Sequence, residues 1–384
     1  MSYLAMYRQF RPKTFDEVIG QKHVVQTLIN QIESGKIGHA YLFCGSRGTG
    51  KTSTAKIFAR AINCERPHHG SPCGECATCL ALEQANNLDI LEIDVASNNR
   101  VDEIRDLREK VKYPPVNGKY KVYIIDEVHM LTDSAFNALL KTLEEPPKYV
   151  VFILATTEVH KLPATILSRC MRFDFKLVST DEIAKLIEKV LTQSGVTFEP
   201  SAVKLIARAA EGGVRDALSI TDMCVSFADG HITYDAVIDV LGATSREHLI
   251  RISREMLAGN VGTSMLALDE VLSQGKSPLV LSKDLIAYFR DLLMLITIGD
   301  KGKELLIADT EDMQAMLEQA TPENYAKVVQ AMEELSKIEQ ELRYSLQPRI
   351  VLECGVVRAI ENTSLVARVE ALEKQVKDIQ SKNQ

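Results

Sequence analysis

Residues 45–52 read Gly-Ser-Arg-Gly-Thr-Gly-Lys-Thr, and few octapeptides restrict a chain more. The segment follows a short apolar run, AYLFC (40–44), and enters TSTAKIFARAIN, a helix-forming stretch. Gly45, Gly48 and Gly50 let the backbone curl so that successive N–H groups face one anion, helped by the positive end of the helix that follows. Lys51 brings positive charge to the outer phosphates of a nucleotide, and the Thr52 hydroxyl suits Mg²⁺. Thr49 and Ser53 flank them as further nucleotide contacts. With every fixed position filled between a strand and a helix, a glycine turn that merely joins two elements is the weaker reading.

Three more apolar runs follow at intervals: DILEI (89–93), KVYIID (121–126) and VVFILATT (150–157). Near-continuous β-rich runs separated by helical patterns predict a buried parallel sheet in an α/β layer across residues 1–178. KVYIID ends in Asp126-Glu127. Adjacent residues at a strand end point in different directions, so Asp126 is expected in the Mg²⁺ shell while Glu127 faces the γ-phosphate and activates water. Alone, a solvated acidic strand end would be an equal reading; beside an intact phosphate loop it is not.

Strand signals stop near residue 179. Thr180 is expected to cap a helix with Asp181 and Glu182 in its first turn and Ile183, Leu186, Ile187 and Val190 on one face. Another helix follows Pro200, and Gly212-Gly213 interrupts the pattern. Residues 245–360 read as helices with short polar breaks. Leu365, Val369, Leu372, Val376 and Ile379 form a coiled-coil seam too short to be stable alone. The expected division is an α/β domain (1–178) with an insert at 64–79, a small helical domain (179–243), a helical domain (244–360) and a tail (361–384).

A chain of 384 residues with 46% hydrophobic and 25% charged residues is globular rather than disordered. No apolar run is long enough to span a bilayer and MSYLAMYRQFRP lacks an apolar core, so a cytoplasmic protein with no membrane partner is expected. The net charge of −7 excludes a chain coated in basic residues. Residues 1–60 nevertheless hold nine Lys and Arg against three Asp and Glu, so any nucleic-acid contact should be a patch.

Cys64, Cys73, Cys76 and Cys79 have the spacing C-x8-C-x2-C-x2-C, whereas Cys44, Cys170, Cys224 and Cys354 are scattered. In a reducing compartment the cluster points to metal. Four thiolates fill the tetrahedral shell of Zn²⁺ and leave no place for water, which makes the role structural. Gly70, Pro72 and Gly74 suit the tight turns. His68 and His69 compete as ligands, and cysteine count alone also allows an iron–sulfur cluster.

The phosphate loop and carboxylate pair, taken with LATT (154–157), ILSRC (166–170) and GGVRDAL (212–218), resemble the AAA+ ATPases. DEVHMLTDSAFNALLKTLEEPP (126–147) and the four-cysteine insert are similar to the bacterial DNA polymerase III gamma/tau family, the ATPase motors of sliding-clamp loaders. The resemblance covers about residues 3–360. It implies that Thr157, with Thr156 as the neighbouring alternative, is a polar sensor between the carboxylates and the γ-phosphate of ATP. It implies that Arg169 is an arginine finger for the adjacent subunit's nucleotide, and that Arg215 reaches the γ-phosphate of its own. Tyr7, Arg11 and Pro12 would pack on the adenine, with Ile19 and Gln21 completing that pocket. Four sulfurs, rather than the histidines, would hold zinc.

Primer–template DNA would be gripped through its backbone by Arg100, Arg105 and Lys141. Residues 244–360 would form an oligomerisation collar. The implied partners are other loader subunits (delta, delta prime and further copies of this chain), the sliding clamp and DNA. An AAA+ DNA translocase shares the phosphate site but would not be expected to carry an SRC motif beside a cysteine insert. A non-hydrolysing scaffold of the loader would lack the loop lysine, whereas Lys51, Thr52, Asp126 and Glu127 are all present.

Overall fold

The computed structural model describes residues 4–84, 87–95, 107, 109–299, 301–302, 306 and 310–361. The chain divides into two compact units, Met1–Ser226 and Phe227–Gln384.

The first unit is built on five parallel strands: β1 (Ala40–Cys44), β2 (Ile90–Asp94), β3 (Lys121–Asp126), β4 (Val150–Thr156) and β5 (Met171–Asp174), in the order β2-β3-β4-β1-β5. Successive residues of each strand serve opposite faces. Ala40, Leu42, Tyr123, Ile125, Phe152 and Leu154 pack with Phe136, Leu139 and Leu143 of the helix Asp133–Glu144. Tyr41, Phe43, Val122, Ile124, Val151 and Ile153 pack with Ile57 and Phe58 of the helix Lys51–Ala61 and with Leu28 of the helix Lys22–Ser34. With helices on both faces every residue of β1 and β4 is buried, hence runs that are apolar throughout rather than alternating.

Three expectations shift. DILEI was read as a strand over 89–93, but β2 runs Ile90–Asp94. Asp89 instead turns its carboxylate to the N–H groups of Val116, Asn117 and Gly118 at 2.7, 2.6 and 2.9 Å, a fully buried anchor for that loop. β5 had no counterpart in the sequence reading, because only Phe173 of its four residues is buried. The helix Thr180–Gln193 is capped not by Thr180 but by Ser179, whose hydroxyl accepts the Glu182 N–H. Its buried residues Ile183, Ile187, Val190 and Leu191 keep the expected face.

The parallel strands align their carboxyl ends on one edge. The register pairs Asp94 with Asp126, and Cys44 with Thr156. Cys44 leads into the glycine-rich loop, so the loop, both acidic strand ends and Thr156 share the edge where ligands bind in such sheets.

The second unit is helical: Tyr234–Leu241, Arg246–Ala258, Val261–Ser273, Pro278–Ile298, Thr310–Gln319, Tyr325–Tyr344 and 348–361. Ile252, Leu268, Leu285, Phe289, Leu335, Ile338, Leu352 and Val356 belong to one shared core. The seam at Leu365–Ile379 lies outside the described residues. No helix among the described residues is long and apolar enough to cross a membrane.

Candidate nucleotide site

The loop after β1 is a cradle that side chains would fill. A Cβ on Gly45 (φ 148°) would stand 2.4 Å from the Phe175 carbonyl oxygen. Gly50, at φ 95°, turns the chain into the helix Lys51–Ala61, and the first N–H groups of a helix have no partner within it. The Thr49 hydroxyl donates to Ser46 O at 2.8 Å. Gln21, fully buried, donates to Lys176 O at 2.7 Å and to Thr49 O at 3.4 Å and accepts the Lys176 N–H at 3.1 Å. It was expected to line an adenine pocket; it ties the loop to the chain after β5 instead.

Lys51 is 6% exposed and donates to the carbonyls of Gly45 and Ser46 at 2.7 and 2.8 Å. Burial lowers the ammonium below the ordinary lysine range, and the carboxylates of Glu127 and Asp126 oppose that shift. Thr52 donates to Asp126 Oδ2 at 2.6 Å, so the two oxygens expected at Mg²⁺ already meet. That hard-oxygen pair at the loop's mouth fits Mg²⁺.

Glu127, directly after β3, has a left-handed backbone (φ 49°). Its Oε2 accepts the Thr157 hydroxyl at 3.0 Å and the Thr157 N–H at 3.3 Å. Thr157 thus acts on Glu127 and is not among the residues facing the cleft. Thr156, the neighbouring candidate, is buried and accepts the Glu158 N–H at 3.0 Å.

A cleft of about 910 Å³ opens above the loop. Its walls include Tyr7, Arg11, Pro12 and Ile19 from the N-terminal arm and Gly48–Ser53 from the loop. Asp126 and Glu127 line it as well, with Val214, Arg215 and Leu218 from the helix Val214–Phe227. The Arg215 guanidinium lies 5.0 Å from the Tyr7 ring centre, a cation–π contact. Arg11 Nε–H donates to Ser53 Oγ at 3.1 Å, and the Val214 N–H to Gly48 O at 3.0 Å. Residues 7 to 215, remote in sequence, therefore enclose one volume. Glu92, Asp94 and Lys56 also line it and were not anticipated. Asp94 was legible in principle, since it ends β2 as Asp126 ends β3.

Arg169 does not face this cleft. It donates to Glu144 Oε1 and Thr165 O, both at 2.8 Å. Lys141 is exposed on the helix Asp133–Glu144. Arg100 and Arg105 lie outside the described residues.

The sulfurs of Cys64, Cys73, Cys76 and Cys79 all lie within 4.8 Å of one another. Backbone N–H groups of Cys73, Cys76 and Cys79 donate to the sulfurs of Cys64, Cys73 and Cys76 at 3.3, 3.4 and 3.3 Å. Such bonds favour thiolates, and those from Glu75 and Cys76 hold the Cys73 thiol down to about 6. His68 and His69 are exposed and outside the cluster. Burial pushes the Cys64 and Cys79 thiols the other way, and the four converging sulfurs fit a tetrahedral soft-metal site.

A parallel sheet carrying a phosphate loop, a strand-end carboxylate pair and a helical lid defines a P-loop ATPase of the AAA+ class. Residues 20–179 match the family model for the DNA polymerase III delta subunit, 182–230 the clamp loader subunit ATPase lid domain, and 232–375 domain III of subunits gamma and tau. The chain belongs to the gamma/tau family of DNA polymerase III subunits, being 43% identical over 393 residues to subunit tau of Bacillus subtilis, across 99% of this chain and 69% of that one.

Subunit tau of Escherichia coli is 46% identical over 275 residues, 72% of this chain and 43% of its own, so the chain spans less than half of that relative. Subunit gamma/tau of Mycobacterium tuberculosis is 37% identical over 386 residues, 96% of this chain and 66% of that one. Among solved structures, the Thermotoga maritima RuvB Holliday junction branch migration motor is 21% identical with a TM-score of 0.47, over 63% of this chain and 79% of that one.

Proposed function

We propose that this chain is the ATP-driven motor of a sliding-clamp loader, and that ATP binding assembles a spiral of subunits which opens the clamp for primed DNA. The observation that carries the reading is the convergence of Tyr7, Lys51, Thr52, Asp126, Glu127 and Arg215 on one cleft, in a chain similar to subunit tau along nearly its whole length.

Lys51 and the loop N–H groups hold the phosphates, and Tyr7, Arg11 and Pro12 hold the adenine. Thr52 and Asp126 hold Mg²⁺, which when bound neutralises charge on the phosphates. Glu127, steadied by Thr157, takes a proton from the attacking water. Arg215 sits on the helix next to the loop and reads the γ-phosphate. Arg169 lies away from its own chain's cleft, which suits a finger reaching the nucleotide of a neighbouring subunit. Hydrolysis on DNA contact releases the clamp.

The cysteine cluster holds a structural zinc ion. Arg100, Arg105 and Lys141 follow the DNA backbone. The α/β domain (1–178), lid (179–243), collar (244–360) and tail (361–384) assemble in the cytoplasm with delta, delta prime and further copies of the chain. ATP turnover, measured with primed DNA and a sliding clamp, should rise only when the companion loader subunits are present. Turnover driven by any duplex and indifferent to the clamp would assign a translocase instead.

A further inference from the structure

His129 lies behind the carboxylate pair rather than in the cleft, and its side chain is only 6% exposed. Each ring nitrogen is engaged. Nε2–H donates to Glu158 Oε2 at 3.0 Å, while Nδ1 lies 3.1 Å from Thr156 Oγ1 and 3.4 Å from Glu127 Oε2. Glu158 is in turn held by Lys161 at 2.8 Å and donates its own N–H to Thr156 Oγ1. The imidazole therefore bridges the turn Val128–Met130, which Glu127 begins, to the loop leaving β4.

Both hydrogen bonds to the Glu127 carboxylate, from the Thr157 N–H and the Thr157 hydroxyl, fall on Oε2, and His129 Nδ1 lies 3.4 Å from the same oxygen. None falls on Oε1. A carboxylate gripped at one oxygen has its rotation stopped with the other oxygen available to accept a proton. The left-handed backbone at Glu127 is strained and persists only where surrounding contacts over-determine it; the buried ring two residues on supplies such a contact.

We propose that His129, anchored by Glu158, is a positioning residue that sets the orientation of Glu127 for taking a proton from the attacking water. The idea rests on the ATP-site reading above. His129 touches neither nucleotide nor water; its effect belongs in the hydrolysis step and not in binding.

The test is ATP turnover by the complete chain with companion loader subunits, clamp and primed DNA, alongside the affinity for a fluorescent ATP analogue. His129→Phe keeps the buried bulk without the nitrogens. It and His129→Ala should each lower kcat by about 10- to 100-fold, as expected for a misplaced reacting group, with analogue affinity held near native. His129→Asn, which returns an amide near Nδ1, should recover part of the loss. Glu158→Ala should reproduce most of it, and the double variant should be no slower than the slower single.

Native kcat in His129→Phe would overturn the proposal, because the ring would then only fill space. So would a loss of analogue affinity that parallels the loss of kcat, and so would additive losses in the double variant. Native analogue affinity in Lys51→Ala is a separate failure: it would remove the ATP-site reading and this proposal with it.

Discussion

Gly45, in the phosphate loop of the first unit, and Gly259, at a helix end of the second, are constrained in different ways. At Gly45 a Cβ would drive into the Phe175 carbonyl at 2.4 Å, so the position is dictated by particular neighbouring atoms. Gly259 ends the helix Arg246–Ala258 in the left-handed region at φ 81°, and a Cβ there would meet nothing within 4 Å. One glycine answers to a close approach and the other only to its own backbone. The first unit is specified atom by atom along the carboxyl edge of a sheet. The second is specified by apolar periodicity and volume, which many sequences satisfy.

The strongest way to break that contrast is to remove single groups from the edge. Lys51→Ala should abolish nucleotide binding while leaving the fold, since the ammonium donates to two carbonyls of the loop itself, Gly45 and Ser46. Equilibrium binding of a labelled ATP analogue reads it, and native affinity would remove the phosphate-loop assignment. Arg169→Ala comes next. Binding of ATP should persist while DNA- and clamp-stimulated turnover falls about 10³-fold or more, the range for a lost arginine finger. Lost assembly on size exclusion, with turnover per assembled complex unchanged, would make Arg169 structural.

The same contrast explains what was legible in the sequence. The loop at 45–52, Asp126-Glu127 and the four cysteines are readable because their chemistry demands fixed residue types at fixed spacings, and the structure gathers each set. β5 was invisible because three of its four residues are exposed. The start of β2 was misplaced by one residue because Asp89 is buried for its hydrogen bonds, not for the sheet. Gln21 looked like a pocket residue, since nothing local reveals that its partners are the backbone of Thr49 and Lys176. His129 went unremarked for the same reason: its partners follow some 30 residues later. Long-range polar pairing is the part of a site that spacing does not encode.

Metal removal tests whether the insert belongs to the atom-specified class. The cluster contains three buried sulfurs, and neighbouring Ser71 accepts the Phe15 N–H at 3.0 Å. Stripping the ion with a chelator, or Cys79→Ser, should lower the thermal midpoint of the first unit, because ligand binding to the folded state contributes directly to its stability. Elemental analysis should find about one zinc per chain, the stoichiometry of a four-sulfur tetrahedral site. A metal-free chain with an unchanged midpoint would leave the cysteines as plain core residues.

The smallest effect is the sharpest discriminator. Gly259→Ala forces a Cβ into a left-handed conformation at a cost of roughly 1–2 kcal/mol, yet open space around it means no neighbour must move. Both capping bonds, from the Gly259 N–H to Glu255 O and Met256 O, are backbone and survive the change. The second unit should therefore unfold at lower denaturant with an unchanged slope, the signature of altered stability in an unaltered fold, while nucleotide affinity in the first unit stays native. A fall in nucleotide affinity comparable to the loss of stability would show that the helical unit is tied to the site through its backbone, and the division between an atom-specified and a periodicity-specified region would fail.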